Sequence, residues 1–373
     1  MNSLRTLSLP LILATMLAGP LAGCGNIAYY AQAVGGHFDV MRAARPIDEV
    51  IRDPASDPVL TRQLADVQAI REFASRELGL PDNGSYRSHA DIGRPYVVWN
   101  VFAAPEFSLK ARQWCMLMVG CVNYRGYYAR EDAERLAAEL RAEGYDTHVG
   151  GVTAYSTLGW FDDPVLNTFM RKGTLEVARI MFHELAHQVV FAKDDTSFNE
   201  SFAAAVENEG VRRWIAASAS TGQLTAFEAQ KARRAAVARL MRDYRKKFQD
   251  LYATERTADQ QRQAKAALVE ALRRDYAGLK AAWGGYAGYD PLFGPELNNA
   301  TLVSYSLYNE LVPAFEALLR QEDRDLPRFY RRVAALAALD KEARCRALTG
   351  LLPPSGDSGQ ARRCLVAATT GDP

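Results

Sequence analysis

The segment VARIMFHELAHQVVFAKDDTSFNESFAAAVENEGV, Val177 to Val211, decides both fold and chemistry. It contains His183-Glu184-Leu185-Ala186-His187, an HExxH pattern, and then Asn199-Glu200, which opens a second apolar run reaching Glu207. On a helix, His183 and His187 lie one turn apart on one face. Two neutral imidazoles placed that way can share one Zn²⁺. Glu184 beside them has the place of a general base for the attacking water. Leu175, Val177, Ile180, Met181, Phe182, Leu185, Val189 and Val190 make this helix apolar on most faces, as buried helices are. Buried histidines and a buried glutamate need partners or a metal.

A zinc hydrolase takes a third protein ligand and leaves the fourth position to water. Glu200 is the candidate. Lys193 to Ser197 is polar and turn-prone, so it can end the first helix and reverse the chain. A second helix from about Phe198 then returns Glu200 to the histidines. Glu207 lies two turns further along the same face, placed to hydrogen-bond a ligand histidine from behind, with Asn199 beside Glu200 in a supporting position. Two plainer readings stand next to this one. An isolated HExxH arises by chance, and Ser197-Phe198-Asn199-Glu200 also fits a capping box in which Glu200 only caps a helix.

HELAHQ followed by NESFAAAVE resembles the gluzincin metallopeptidases related to aminopeptidase N. Asn199, Glu200, Phe202, Ala203 and Glu207 fit that pattern, although the twelve residues between His187 and Glu200 form a shorter spacer than in those enzymes. The closer resemblance is to the bacterial putative aminopeptidase family, a group of predicted lipoproteins. It runs through HELAHQ, DDTSFNESFA, the upstream YSTLGWFDDP and the later LNNA and YNELVPAF, over most of the chain. The resemblance implies a zinc peptidase with one Zn²⁺ per chain, held by His183, His187 and Glu200. It implies an edge strand over Ala154, Tyr155, Ser156, Thr157, Leu158 and Gly159 that pairs with extended substrate. It also implies that Asp162 or Asp163 meets a substrate amine, and that Tyr305 or Tyr308 stabilises the oxyanion. For the aspartates a plain turn, and for the tyrosines a place in the core, are the competing readings. The chain has no counterpart of the GxMEN segment whose Glu binds the free amine in aminopeptidase N relatives.

Residues 1–23 read as a leader, with Arg5 as the positive region and Leu7 to Ala22 as the apolar region. Leu21-Ala22-Gly23-Cys24 resembles a bacterial lipobox, so Cys24 is the expected lipidated N-terminus, the alternative being an ordinary secretory signal. Gly25 after it favours the outer membrane, facing the periplasm. Four further cysteines pair locally as Cys115–Cys121 and Cys345–Cys364 in an oxidising compartment. Net charge is +1, with 45 basic and 44 acidic residues, so no electrostatic case for nucleic acid exists. The expected partners are a peptide or protein substrate and, through the lipid, a membrane.

About 350 residues follow the leader, enough for a large core. The pattern predicts an α+β protein, mostly α, in which a small sheet packs on a zincin-like HExxH helix. The expected divisions are a helical segment over 24–95, a catalytic core over 96–215, a helical region over 216–353 completing the cleft, and a tail over 354–373. Strands are expected over Tyr96–Ala103, Gln113–Val122 and Tyr145–Ser156, and a helix over Arg130–Glu143. Two functions fit these features: an envelope-tethered zinc peptidase, or a binding or assembly lipoprotein that keeps a metal site. An intact Glu184 favours the first, because a structural site has no use for a base.

Overall fold

A computed structural model describes residues 21–116, 120–218 and 221–352, with the side chains of 21–27 and 221 excepted. The expected leader up to residue 20, the side chain of Cys24, Cys364 and the tail lie outside the described residues. In chain order the elements begin with helix α1 (Leu21–Ala43), strand β1 (Ala44–Pro46), and helices α2 (Ile47–Arg52) and α3 (Pro58–Leu78). Strands β2 (Ser88–Ala90), β3 (Val98–Pro105), β4 (Trp114–Met116), β5 (Gly120–Val122) and β6 (Arg125–Tyr127) follow. Next come α4 (Arg130–Ala142), β7 (Tyr145–Val152), β8 (Val165–Leu166), α5 (Asn167–Met170), α6 (Thr174–His187) and α7 (Thr196–Ala217). The described residues close with α8 (Thr221–Tyr252), α9 (Ala258–Ala282), α10 (Asn299–Asn309), α11 (Val312–Gln321), α12 (Leu326–Ala337) and α13 (Lys341–Thr349). The protein is therefore α+β and mostly α. No helix among the described residues is long and apolar enough to cross a membrane.

Local chemistry explains the boundaries. Asp57 caps α3 by accepting from the Val59 and Leu60 amides, Pro58 opens it, and Gly79 ends it at φ 64°. One stripe of α3, with Leu64, Val67, Ile70, Phe73 and Leu78, is buried against α6 and α7. Gly210 on α7 marks the closest approach: a Cβ there would lie 2.7 Å from Phe182 and 2.8 Å from Leu78. The same cluster of buried side chains continues into Phe315, Phe329 and Val333 of the last helices. Stretches far apart in the chain thus pack as one core around α6.

The second layer is the antiparallel sheet β6-β3-β7, in which Val98 faces Val152 and Pro105 faces Tyr145. Alternation along β3 divides its faces. Val101 and Ala103 pack on Ala133, Ala137 and Leu140 of α4. Phe102 and Ala104 pack on Val237, Phe248 and Leu302 of the helices opposite. A small sheet β1-β2-β8 lies beside α2 and α5.

Two strand expectations need correcting. Gln113–Val122 is not one strand: β4 and β5 pair as two strands, with Cys115 directly opposite Cys121 and joined to it by a disulfide. Cys345 is also disulfide-bonded. Tyr145–Ser156 ends as a strand at Val152, and Ala154–Gly159 is irregular rather than an edge strand. The physical reason is local. The Asp163 carboxylate accepts the Thr157 amide, the Trp160 amide closes a turn on the Thr157 carbonyl, and Leu158 and Gly159 take positive φ. Backbone folded onto itself in this way has no extended edge to offer.

Candidate metal centre

Helix α6 ends at His187, and the chain must reverse to bring Glu200 back. Three residues fix that reversal. Asn199 accepts the Ala192 amide at 2.7 Å and donates to the Ala192 carbonyl at 2.8 Å. Asp195 caps α7 through the Phe198 amide and forms a buried 2.7 Å ion pair with Arg344 of α13. Asp194, at φ 63°, accepts the Cys121 amide of β5 at 2.6 Å. The cap is thus Asp195 and not Ser197, and the Glu200 carboxylate is turned to the histidines. Asn199, expected to support the ligands directly, clamps the turn that delivers Glu200.

The ligand atoms of His183, His187 and Glu200 lie within 4.8 Å of one another. Glu200 Oε2 is 3.2 Å from His183 Nε2 and 3.9 Å from His187 Nε2. Tetrahedral ligands at about 2.0–2.1 Å from a zinc stand about 3.3 Å apart, so this N₂O set fits the ion in donor type and spacing. The set is open on one side. His183 and Glu200 side chains keep 16% and 14% exposure, whereas Glu207 behind them keeps 2%.

Glu207 holds His183 from the other ring nitrogen, 3.1 Å from Nδ1. Arg179 and Arg234 grip the same carboxylate at 2.9 and 3.0 Å. Burial opposes the charge on Glu207, but the two guanidiniums and His183 hold its carboxyl far below the usual range. For His183 burial also disfavours charge, yet the Glu200 and Glu207 carboxylates push it up to about 10. His187 goes the other way, pushed down to about 4 chiefly by burial. Its Nδ1 has no hydrogen-bond partner among the described residues. Arg179 and Arg234 escape sequence reasoning, since one lies within the HExxH helix and the other on α8.

Glu184 stands next to the ligands with its carboxyl pushed up to about 7, mainly by burial and further by Glu200 and Asp163. Of the two tyrosines on α10, Tyr308 reaches this site. Its hydroxyl is raised by burial and by the charges of Glu200 and Glu184, and it hydrogen-bonds Asn100 of β3. The LNNA stretch places it there. Asn298 donates to the Thr147 carbonyl at 2.9 Å, and Asn299 donates to the Pro105 and Glu106 carbonyls at 3.1 and 2.9 Å. These bonds dock α10 onto β3 and β7. Tyr305 points elsewhere, lining a small cavity with Met241, Arg242 and Arg245. Tyr124, just before β6, feels Glu200 and Glu184 as Tyr308 does. Nothing in the local sequence singles it out.

The stretch around Gly159 does come to the site, though not as a strand. Gly159 lies against Gln188, the residue after His187. Asp162 is exposed and its carboxyl sits against Gly84, whereas Asp163 is buried.

Among known proteins, the model of the family described as "Putative aminopeptidase" matches residues 28–348. Comparison with curated proteins and with solved structures finds no match.

Proposed function

The chain belongs to the "Putative aminopeptidase" family, and from that premise we propose that it is a zinc-dependent metallopeptidase held at the bacterial cell envelope. The observation that carries the reading is the convergence of His183, His187 and Glu200 within 4.8 Å, with Glu184 alongside. Zinc bound there supplies Lewis acidity, which polarises the scissile carbonyl and makes water a nucleophile near neutral pH. The chain's own groups do the rest. Glu184, with a carboxyl near 7, takes the proton of the attacking water and returns it to the leaving amine. Tyr308 stays neutral and donates its hydroxyl to the oxygen on which negative charge develops. Glu207 keeps the His183 ring in place.

The envelope location rests on Arg5, the apolar run to Ala22 and the lipobox ending at Cys24. It has its own test. Cys24→Ser should abolish incorporation of labelled palmitate, and a variant that still carried label would not be anchored as proposed.

The reaction is tested by Glu184→Gln. Glu184 is not a ligand, so the variant keeps its zinc and its fold. The amide accepts no proton, so peptide hydrolysis falls by about 10²-fold or more. Unchanged hydrolysis removes Glu184 as the base. A cellular phenotype rescued equally by both proteins, with cleavage by neither, identifies a binding or assembly lipoprotein instead.

A further inference from the structure

Helix α1 carries apolar residues on two opposite sides, and the body covers one of them. Its acidic and basic residues are Asp39 and Arg42 alone. At about 100° per residue, Tyr29, Gln32, Gly36 and Val40 fall on one side, and Tyr30, Val34, Phe38 and Arg42 on the other. The first side is seated on the protein. Gly36 abuts the Tyr128 ring so closely that a Cβ has no room. Gln32 donates to the Gly126 carbonyl at 3.3 Å and accepts the Tyr128 amide at 3.2 Å. Arg125 lies over the Tyr29 ring, and Val40 is buried.

The second side faces outward. Val34 and Phe38, one turn apart, keep 54% and 47% exposure. Trp160 and Phe161 widen the same patch, at 71% and 45%. The His37 ring joins the two segments, 6.1 Å from Phe38 and 4.5 Å from Phe161. With Tyr30, these are five of the ten large apolar side chains that stand exposed among the described residues, so the exposure is gathered rather than scattered. A helix apolar on both sides calls for a cover on each.

We propose that this outward face rests on a lipid bilayer, the one that holds the acyl chains on Cys24. The inference rests on the envelope reading and goes beyond it by assigning the surface that meets the lipid. Cys24 stands in the same helix, ten residues before Val34 and fourteen before Phe38. At 1.5 Å per residue that is about 15 and 21 Å along one continuous rod, with no flexible linker between anchor and patch. Aromatic side chains favour the headgroup level of a bilayer, Trp above all. A helix lying in that plane sinks its apolar side and keeps cations at the phosphates. Arg42 continues the stripe, and its exposed pair with Asp39 is too weak to withhold it. Gly159, next to Trp160, lies against Gln188 beside His187, so the docked protein holds its candidate metal centre near the lipid surface.

The test uses the lipid-bearing full chain on vesicles of phosphatidylethanolamine and phosphatidylglycerol, with plain or with brominated acyl chains. Bromine quenches indoles that enter the bilayer, and Trp160→Phe separates Trp160 from the other tryptophans. Wild type is expected to lose most of the Trp160 emission on brominated vesicles, and Trp160→Phe to show no such loss. Val34→Asp and Phe38→Asp should each restore much of the emission, while the proteins still sediment with the vesicles and keep their circular dichroism. Equal Trp160 emission on the two kinds of vesicle, from protein that sediments with both, overturns the docking face and leaves the anchor standing. If acrylamide also fails to reach Trp160 there, a second copy or another protein covers the patch instead. Quenching unchanged in both aspartate variants removes the α1 stripe from the contact and overturns the proposal. Wild type that does not sediment with vesicles overturns the envelope reading, and the docking face with it.

Discussion

Glu207 Oε2 lies 3.1 Å from His183 Nδ1 and 2.9 Å from Arg179. One carboxylate therefore orients a candidate metal ligand and pairs with a half-buried guanidinium. Glu207→Gln keeps the shape and removes the charge, leaving Arg234 without its counter-ion and Arg179 with Glu176 alone. Metal affinity should fall about 10–100-fold, measured by competition with a chelator. Unfolding free energy should fall by about 3 kcal/mol, measured by denaturant titration. An unchanged metal affinity would mean that Glu207 serves stability alone.

Removal of a ligand acts on the ion more than on the fold. Wild type is expected to hold one zinc per chain, and Glu200→Ala and His187→Ala should each lose most of it, read by elemental analysis after dialysis. Full occupancy in Glu200→Ala would take Glu200 out of the ligand set.

The two tyrosines of α10 separate cleanly. Tyr308→Phe should lower kcat by about 10²-fold with little change in KM, as for loss of one oxyanion donor. Tyr305→Phe should leave both constants near wild type, because Tyr305 faces Arg242 and Arg245 and not Glu184. Equal effects of the two would deny Tyr308 its special place.

Asp163 gives stability a pH dependence of defined sign. Its carboxyl is raised by burial from 3.8 to about 6, so the folded state holds its proton where the unfolded state has lost it. Stability is therefore highest below about pH 4 as far as this group is concerned. It declines as pH rises to about 6 and is level above, a total of roughly 3 kcal/mol. Asp163→Asn should remove that decline and melt higher than wild type at pH 7. Parallel melting curves from pH 4 to 7 for the two proteins would contradict the assignment.

The part of the site visible in the sequence is the part governed by short spacing. One helical turn sets His183 against His187, and a polar reversal followed by an apolar helix returns Glu200. Two turns of α7 likewise carry Glu207 to His183. What was not legible depends on tertiary contacts. Tyr305 and Tyr308 stand within one turn of each other, so only the docking of α10 on β3 and β7 distinguishes them. Tyr86 and Tyr124 arrive near Glu184 from separate stretches and carry no motif, and nothing local separates the buried Asp163 from the exposed Asp162. Ala154–Gly159 has strand-like residues, but the Asp163 carboxylate captures the Thr157 amide and turns the chain aside. The mostly helical α+β class follows from composition and period. The Cys115–Cys121 bridge was legible from the local spacing of the two cysteines, whereas the contact of Cys121 with Asp194 was not.

The Asp195–Arg344 pair has a consequence for the order in which the chain is made. All three proposed ligands leave the ribosome well ahead of Arg344, which follows Asp195 by 149 residues. Until α13 arrives, the reversal that presents Glu200 lacks its buried ionic brace. On the proposed metal reading, the ion is held firmly only once α13 has arrived and locked the turn. A chain ending before residue 341 carries every ligand and should still release zinc faster than the full chain to the same chelator.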